Sequence, residues 1–268
     1  LKEMWMFTFF IFLNQIIDQI NLNVDKYLLG RLSGTVAVAV YGVGGQINTM
    51  YMSLSASVSN VFIPKVNRIV AEKRSDSELT QVFIKVGRVQ FMILSLILSG
   101  FIYYGKPFIK LWAGDGYDAS YYIALFLLIP VTVPMIQNIG IEIQRAKNKH
   151  RTRSIVYFLI AIVNVGISIP LIKLYGAVGA TIGTAISILM GNFFFMNWYY
   201  YTRIGIDIIA FWKNIISFMP VIIISGIFGL ISSRTIALIS FMRLGTVIVV
   251  YIIIYSGLLY VLGMNRNE

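Results

Sequence analysis

The sequence predicts an all-α membrane protein that crosses the bilayer about eight times. Of its 268 residues, 58% are hydrophobic and only 12% are charged, which exceeds the apolar share of about 45–50% in soluble domains. Apolar segments of about 20 residues recur along the whole chain, the length that an α-helix needs to cross the hydrocarbon core. There is no cysteine and one histidine, His150, so thiol chemistry is excluded and a histidine metal site is not expected.

The apolar segments and the basic residues between them predict the path of the chain. Of the 22 Lys and Arg residues, 15 fall in one set of loops and six in the opposite set, with Lys26 inside the first helix. The side with more basic residues is cytoplasmic by the positive-inside rule, so both ends of this chain are predicted to be cytoplasmic. These cytoplasmic loops account for the net charge of +11, so no nucleic-acid partner is predicted. The predicted spans are 5–29, 36–62, 88–104, 120–141, 155–175, 177–199, 213–231 and 237–262.

The first span is long enough to cross the membrane, yet half of its surface is polar. A charge at mid-membrane costs at least ~2.5–3.5 kcal/mol on insertion scales, so this face predicts a watery pathway or a partner. Arg31 lies at the outer end of the same helix. At about 100° per residue two neighbouring polar stripes form, one of Asn14, Asp18, Asn21 and Asp25 and one of Gln15, Gln19, Asn23 and Lys26.

The second span carries a face of small and hydroxyl residues. Such a face allows close helix packing in lipid, or it forms a second wall of the cavity opposite the first helix, and both interpretations can hold at different depths. Its members are Gly42, Gln46, Thr49, Ser53, Ser57 and Asn60. The basic stretch 64–88 that follows is interpreted as a surface helix, with Ser75 as its N-cap and Glu78 as the capping-box partner.

Prolines and glycines shape the next three spans. Pro130 and Pro134, one turn apart in the fourth span, are a candidate hinge, because proline removes a backbone donor and kinks a helix. The glycines 176, 179 and 183 predict a tight helical hairpin between the fifth and sixth spans. Asn164 and Ser168 are the polar residues of the fifth span, where the simplest role is an interhelical hydrogen bond. The last two spans are almost purely apolar, so they are expected to carry few inward-facing polar groups and to be peripheral.

Several stretches resemble the polysaccharide-exporter branch of the MATE-like flippase superfamily, whose members move O-antigen, capsule and related repeat units. The loops match as well as the apolar helices, and the matching stretches cover most of residues 5–200 in family order. They are QNIGIEIQRAKNKHRTRSIVY (137–157), IPLIKLYGAVGATIGTAIS (169–187), DKYLLGRLSGTVAVAVYGVG (25–44) and LWAGDGYDASYYIALFLLIPVTVPMIQN (111–138).

The resemblance implies a two-lobed, non-enzymatic transporter of a bacterial cytoplasmic membrane. Residues 1–200 would form the second six-helix lobe, residues 201–268 an accessory helix pair, and the first lobe would be missing from this chain. The substrate would be an undecaprenyl-pyrophosphate-linked oligosaccharide, turned over by alternating access. Membrane lipids, the first lobe and polysaccharide polymerase machinery are the implied partners.

The charges of the first span fit this substrate only in part. Pyrophosphate needs cations, and this lobe offers Lys26 and Arg31. Asp18 and Asp25 oppose them, so a net negative cavity face is expected unless the missing lobe supplies arginines. No cofactor is implied. The carboxylates would serve coupling by H⁺ or Na⁺, since a related lipid flippase holds sodium between the equivalent helices, or they would instead be sealed into structural hydrogen bonds. The matching positions are Asp18, Asp25, Asn164, Ser168 and Thr184, with Ser168 standing where a second carboxylate is expected.

Two other functions compete with this one. A multidrug or organic-cation antiporter of the same fold predicts a cavity dominated by carboxylates, and Lys26 beside Asp25 counts against it. A membrane glycosyltransferase or polymerase needs a general acid or base in a substantial water-facing site. Asp115 and Asp118 are the only carboxylates in the predicted outer loops, which are short, so they give such an enzyme little material.

Overall fold

The protein is an all-α, multi-pass membrane protein. The computed structural model describes residues 23–263 together with Trp5, Thr8, Phe9 and Phe12, except for the side chains of His150 and Arg151. Within that part no β-strand occurs. Five helical stretches in it are long and apolar enough to cross a membrane, namely Asp76–Ala113, Asp118–Ile136, Thr152–Ile204, Ile208–Thr235 and Phe241–Gly263.

The helices follow one another with short connections. In order they are α1 (23–32), α2 (Gly34–Ala71), α3 (Asp76–Ala113), α4 (Asp118–Ile136), α5 (Ile139–Ala146) and α6 (His150–Ile188). Helix α6 continues through a π-helical segment (Leu189–Met196), α7 (Asn197–Tyr199) and a second π-helical segment (Tyr200–Ile204). The described part of the chain then continues through α8 (Ile208–Ile216), α9 (Met219–Thr235), α10 (Phe241–Leu258) and a third π-helical segment (Leu259–Gly263). The predicted spans 120–141 and 213–231 are each divided, since α5 and α8 are separate helices.

Helices α2 and α3 are longer than predicted. Each has 38 residues, which corresponds to about 57 Å and exceeds the roughly 30 Å hydrocarbon core. The interpretation of 64–88 as a separate surface helix is wrong, because these residues extend α2 to Ala71 and begin α3 at Asp76. The prediction of Ser75 as an N-cap is confirmed, since its side chain accepts a hydrogen bond from the Glu78 amide at 3.4 Å. The Glu78 carboxylate accepts from Arg74 rather than completing the predicted capping box. The cap marks the start of α3 itself.

The predicted hairpin is confirmed, with its turn at Gly176. This glycine has φ 58° and ψ −132°, a backbone conformation that side-chain-bearing residues rarely adopt. The arms on either side, 150–175 and 177–204, run antiparallel in close contact. A Cβ added at Gly179 would lie 2.0 Å from the Leu171 carbonyl oxygen, and one at Gly183 would lie 2.3 Å from Ser168 Oγ. Small residues therefore bring the two backbones together.

Three basic connections meet at one end of the helix bundle. The Lys147 ammonium lies 2.5 Å from an Asp76 carboxylate oxygen, so the turn after α5 is tied to the start of α3. The Tyr199 hydroxyl donates to the Lys149 carbonyl at 3.0 Å, which ties the same turn to the second arm of α6. The Asp207 amide donates to Thr80 Oγ1 at 3.2 Å. We call this the basic end of the bundle.

The largest buried core also lies towards the basic end. The Phe83 ring packs against Tyr200 with centroids 5.4 Å apart and against Phe211 at 4.8 Å. All three side chains are buried. They join α3 to the second arm of α6 and to α8, so aromatic packing holds these three elements together at the basic end.

Helices α9 and α10 pack against α3 and against each other, as expected for spans at the periphery of the bundle. The expectation that they carry few inward polar groups is wrong, because tyrosine and serine hydroxyls hold them to α3. These pairs are Tyr251 with Ser99, Tyr255 with Ser95, and Tyr104 with Ser232, each at 2.7 Å. A hydroxyl in lipid surroundings needs a partner, and the sequence pattern alone does not identify it.

Tyr251→Phe tests this contact. We expect it to lower the free energy of unfolding by about 0.6–1.7 kcal/mol, the range for interhelical hydrogen bonds in membranes, because Ser99 loses its phenol donor. Denaturant unfolding of the full-length protein in detergent measures the change. Tyr260→Phe is the control, since that side chain is 76% exposed; equal stability of both variants would contradict the prediction.

Candidate functional site

A cavity of about 770 Å³ lies between α1, α2, α4, α5 and the two arms of α6. Amide, hydroxyl and phenol groups provide most of its polar wall. The polar side chains that line it are Asn23, Lys26, Tyr41, Gln46, Asn48, Thr49, Gln137, Arg153, Tyr157, Asn164, Thr184, Ser187, Asn192 and Tyr200. A polar cavity of this size inside an apolar helix bundle can bind a hydrophilic group away from lipid.

Part of the predicted pathway lies on this wall. Lys26 and Gln46 line the cavity, so the second span forms a wall as well as a packing face. Arg31 is exposed and is absent from the wall, because it follows Lys26 by more than a helical turn and lies beyond the cavity. The predictions for Asn14, Gln15, Asp18, Gln19 and Asn21 lie outside the described residues.

Asp25 is placed differently from the prediction. It is fully buried behind the cavity wall, where Oδ2 accepts hydrogen bonds from the Tyr41 hydroxyl at 2.9 Å and from Thr184 Oγ1 at 2.6 Å. Both donors line the cavity. Asp25 and Lys26 are about 100° apart on α1, so the lysine faces the cavity while the carboxylate faces α2 and the second arm of α6. Asp25 Oδ1 has no hydrogen-bond partner among the described residues.

The predicted ion-coupling residues form two separate pairs. Thr184 binds Asp25, whereas Ser168 Oγ donates to Asn164 Oδ1 at 3.1 Å on the first arm of α6. Asn164 and Thr184 both face the cavity. In the part of the chain that the structure describes, no three His, Cys, Asp or Glu side chains are grouped as a metal site. A cation bound here would therefore have Asp25 as its one described carboxylate ligand.

The described part of the cavity wall is positively charged, whereas a net negative face was expected from Asp18 and Asp25 together, and Asp18 lies outside the described residues. Lys26 and Arg153 are its charged members, and no Asp or Glu is among its described lining residues. Because the predicted fifth span begins at residue 155, Arg153 was expected in the basic loop before it, but it lies in the first turn of α6 and lines the cavity. A signal for this was present, because Arg153, Tyr157, Ile160 and Asn164 follow the spacing i, i+4, i+7 and i+11 of one helix face.

The second arm of α6 supplies the facing wall. Thr184, Ser187, Ile188, Gly191 and Asn192 line the cavity at three- and four-residue steps. The last two lie in the π-helical segment, and the Asn192 side chain accepts a hydrogen bond from the Tyr157 hydroxyl of the first arm. The hairpin therefore presents polar groups of both arms to one space.

The predicted hinge prolines lie within α4, which continues through both and ends at Ile136. Pro130 is buried, and Pro134 lines the cavity. The chain leaves helical geometry at Gln137 before α5 begins. Movement about these prolines stays a prediction.

Comparison with known proteins supports the sequence resemblance. Residues 1–122 match the model of a family described as "Polysaccharide biosynthesis protein". Two curated relatives carry the name "Putative O-antigen transporter". The relative from Shigella dysenteriae is 22% identical over 184 residues, covering 68% of this chain and 44% of the relative. The relative from Shigella flexneri is 20% identical over 201 residues, covering 74% of this chain and 47% of the relative.

The chain thus spans about half the length of the curated relatives that it matches. Their names describe transporters, in agreement with the prediction of a transporter rather than an enzyme. No solved structure gives a significant match.

Proposed function

We propose that this chain, which matches a polysaccharide-biosynthesis family model over residues 1–122 and resembles two putative O-antigen transporters, has a role in moving lipid-linked oligosaccharides across a bacterial cytoplasmic membrane. The carrier lipid would be undecaprenyl pyrophosphate. The observation that supports this best is the polar cavity of about 770 Å³ with Lys26 and Arg153 on its wall. A pyrophosphate needs cationic hydrogen-bond donors, and arginine and lysine are the side chains that bind it.

In the proposed arrangement, residues 1–200 form the second lobe of the transporter and residues 201–268 form an accessory pair. The first lobe would close the cavity. The exposed polar residues Thr49, Ser53, Ser57 and Asn60 on α2 would face that lobe or the water between the lobes. Alternating exposure of the cavity would follow from rocking of the two lobes. The basic end would be cytoplasmic, and polymerase machinery on the other side would receive the product.

We further propose that Asp25 carries the coupling ion, H⁺ or Na⁺. Its carboxylate is buried, its Oδ1 atom has no partner among the described residues, and two of its neighbours reach the cavity. A carboxylate so placed within a membrane is costly unless it is protonated, paired or bound to a cation. A change at Asp25 would pass directly to Tyr41 and Thr184 on the cavity wall.

The charge of the wall favours this function over an organic-cation antiporter. Two cations and no described carboxylate line the cavity, so an organic cation would be repelled there while an anionic group would be attracted.

Complementation by the full-length protein tests the proposed function. In a strain that lacks its flippase, the wild-type gene is expected to restore surface polysaccharide, whereas Lys26→Gln restores at most about one tenth as much, because a charged hydrogen bond contributes roughly 1.5–3 kcal/mol. Lys65→Gln is the matched control, since Lys65 is exposed and outside the cavity wall.

Two results would overturn this assignment. One is a wild-type protein, expressed at normal levels, that restores no surface polysaccharide. The other is a labelled undecaprenyl-pyrophosphate oligosaccharide that stays in its original leaflet in proteoliposomes of the full-length protein.

A further inference from the structure

We infer that Arg153 is the residue that first binds the phosphate groups of the substrate, at the basic end of the cavity, and that Lys26 receives the same groups deeper inside. This rests on the proposed function and assigns a specific role to a side chain within it. Both residues line one continuous cavity.

The guanidinium of Arg153 is held in place by an aromatic ring, and no carboxylate among the described residues pairs with it. Its central carbon lies 4.4 Å from the centroid of the Tyr157 ring, one turn along α6, and such a contact orients a cation over an aromatic face. Its Nε atom is buried and has no hydrogen-bond partner among the described residues. Arginine has five N–H donors, so a guanidinium oriented on the cavity wall can bind a planar or tetrahedral anion through its terminal nitrogens.

The acidic and amide groups near Arg153 in the described part of the chain do not compensate its charge. Asn192 already accepts from the Tyr157 hydroxyl and donates to the Ile188 carbonyl. Glu142, an acidic residue of the nearby α5, lies 2.7 Å from Arg145 and is paired with it. Within the described chain Arg153 takes part in no ion pair, and an unpaired cation in a partly buried wall gains most from an anionic ligand.

The two cations lie at different depths. Gly183 packs against Ser168 across the hairpin, which places Thr184, the partner of Asp25, near residue 167 of the first arm. Arg153 is then about 14 residues away along α6, or roughly 21 Å at 1.5 Å per residue. This is about two thirds of the roughly 30 Å hydrocarbon core. The backbone positions that carry the two cations are therefore separated along the direction of α6 by several helical turns, although both side chains reach the same cavity.

The chemistry of the two side chains suits this order. The arginine fork can hold a phosphate through two parallel hydrogen bonds, whereas lysine offers a compact point charge on a flexible stem. Arg153, beside the basic connections, would capture the substrate tightly, and Lys26 would hold it loosely enough to release it.

Pyrophosphate binding to the purified full-length protein tests the capture step. With inorganic pyrophosphate as the titrant in calorimetry, we expect Arg153→Gln to weaken binding about tenfold or more, the effect of losing a charged, bidentate contact. Arg153→Lys is expected to weaken it less. Arg203→Gln, an exposed arginine outside the cavity wall, is expected to bind like the wild type.

An unchanged affinity in Arg153→Gln overturns the inference. Thermal unfolding of each variant shows whether it is folded. Should Arg153→Gln not fold, Arg153→Lys carries the test, and wild-type affinity in that variant likewise overturns the assignment.

Transport kinetics in proteoliposomes separate this inference from the proposed function. We expect Arg153→Gln to raise the substrate concentration for half-maximal flipping about tenfold, and Lys26→Gln to lower the maximal rate instead. Wild-type protein that flips the lipid, with Arg153→Gln showing unchanged kinetics, contradicts the inference alone. Wild-type protein that does not flip, yet binds pyrophosphate through Arg153, contradicts the proposed function and leaves the anion site supported.

Discussion

Gly179→Ala is expected to prevent the full-length protein from folding, or to lower its free energy of unfolding by 3 kcal/mol or more, at or beyond the upper end of the roughly 1–3 kcal/mol typical of overpacking. The added Cβ would lie 2.0 Å from the Leu171 carbonyl oxygen and 2.4 Å from its carbon. These are backbone atoms of the opposite hairpin arm, so no side-chain rotation can relieve the clash. The arms would separate, and the cavity wall that they share would be lost.

Gly166→Ala provides the matched control. It lies in the first arm of the same hairpin, and a Cβ there would meet nothing within 4 Å. Replacing a helical glycine by alanine favours the helix by roughly 0.5–1 kcal/mol, so this variant is expected to be at least as stable as the wild type. Protein yield and denaturant unfolding in detergent compare the two. Equal stability of both variants would show that the arms are not packed as the structure places them.

Asp25→Ala is expected to abolish transport and to destabilise the protein by about 2–5 kcal/mol. The hydroxyls of Tyr41 and Thr184 both donate to Oδ2 of this residue. Each buried polar group left without a partner costs about 1–3 kcal/mol, and here two would be left together. Unfolding and flipping assays on the full-length protein measure the two effects.

Asp25→Asn separates a structural role from a role in coupling. Its amide oxygen still accepts the two hydrogen bonds, but the side chain can neither ionise nor exchange a proton. If Asp25 carries the coupling ion, the variant folds with near-normal stability and fails to transport. Full transport by Asp25→Asn would leave Asp25 as a structural hydrogen-bond acceptor only. Asp115→Asn, whose side chain is 92% exposed, is the control for loss of a carboxylate.

Local features of the sequence identified several elements correctly. The glycines at 176, 179 and 183 predicted the hairpin, because a positive φ and a close helix approach both require glycine. The pair Ser75 and Glu78 predicted a helix start, and α3 begins there. These features depend on neighbours along the chain, so the sequence contains all the information that they need.

The candidate site could be predicted only in part. Lys26 and Gln46 were expected on the wall and line it, because the polar face of each helix follows from its periodicity. Arg153 was missed, since a basic residue close to a loop is ordinarily solvated. Its place on the wall depends on where α6 begins and on how α6 is rotated against α2 and α4.

By itself, the sequence determined that this is a helical membrane protein with a glycine hairpin and polar helix faces. Apolar composition specifies which segments cross the lipid, and the spacing of polar residues along one helix specifies its polar face, so neither depends on contacts with other helices. Only the tertiary structure decided that Asp25 is buried behind the wall while Lys26 and Arg153 are on it. The physical reason is rotation: adjacent residues on a helix lie about 100° apart. Only the contacts between helices determine that the Lys26 side chain points into the cavity and that the adjacent Asp25 is covered by neighbouring helices.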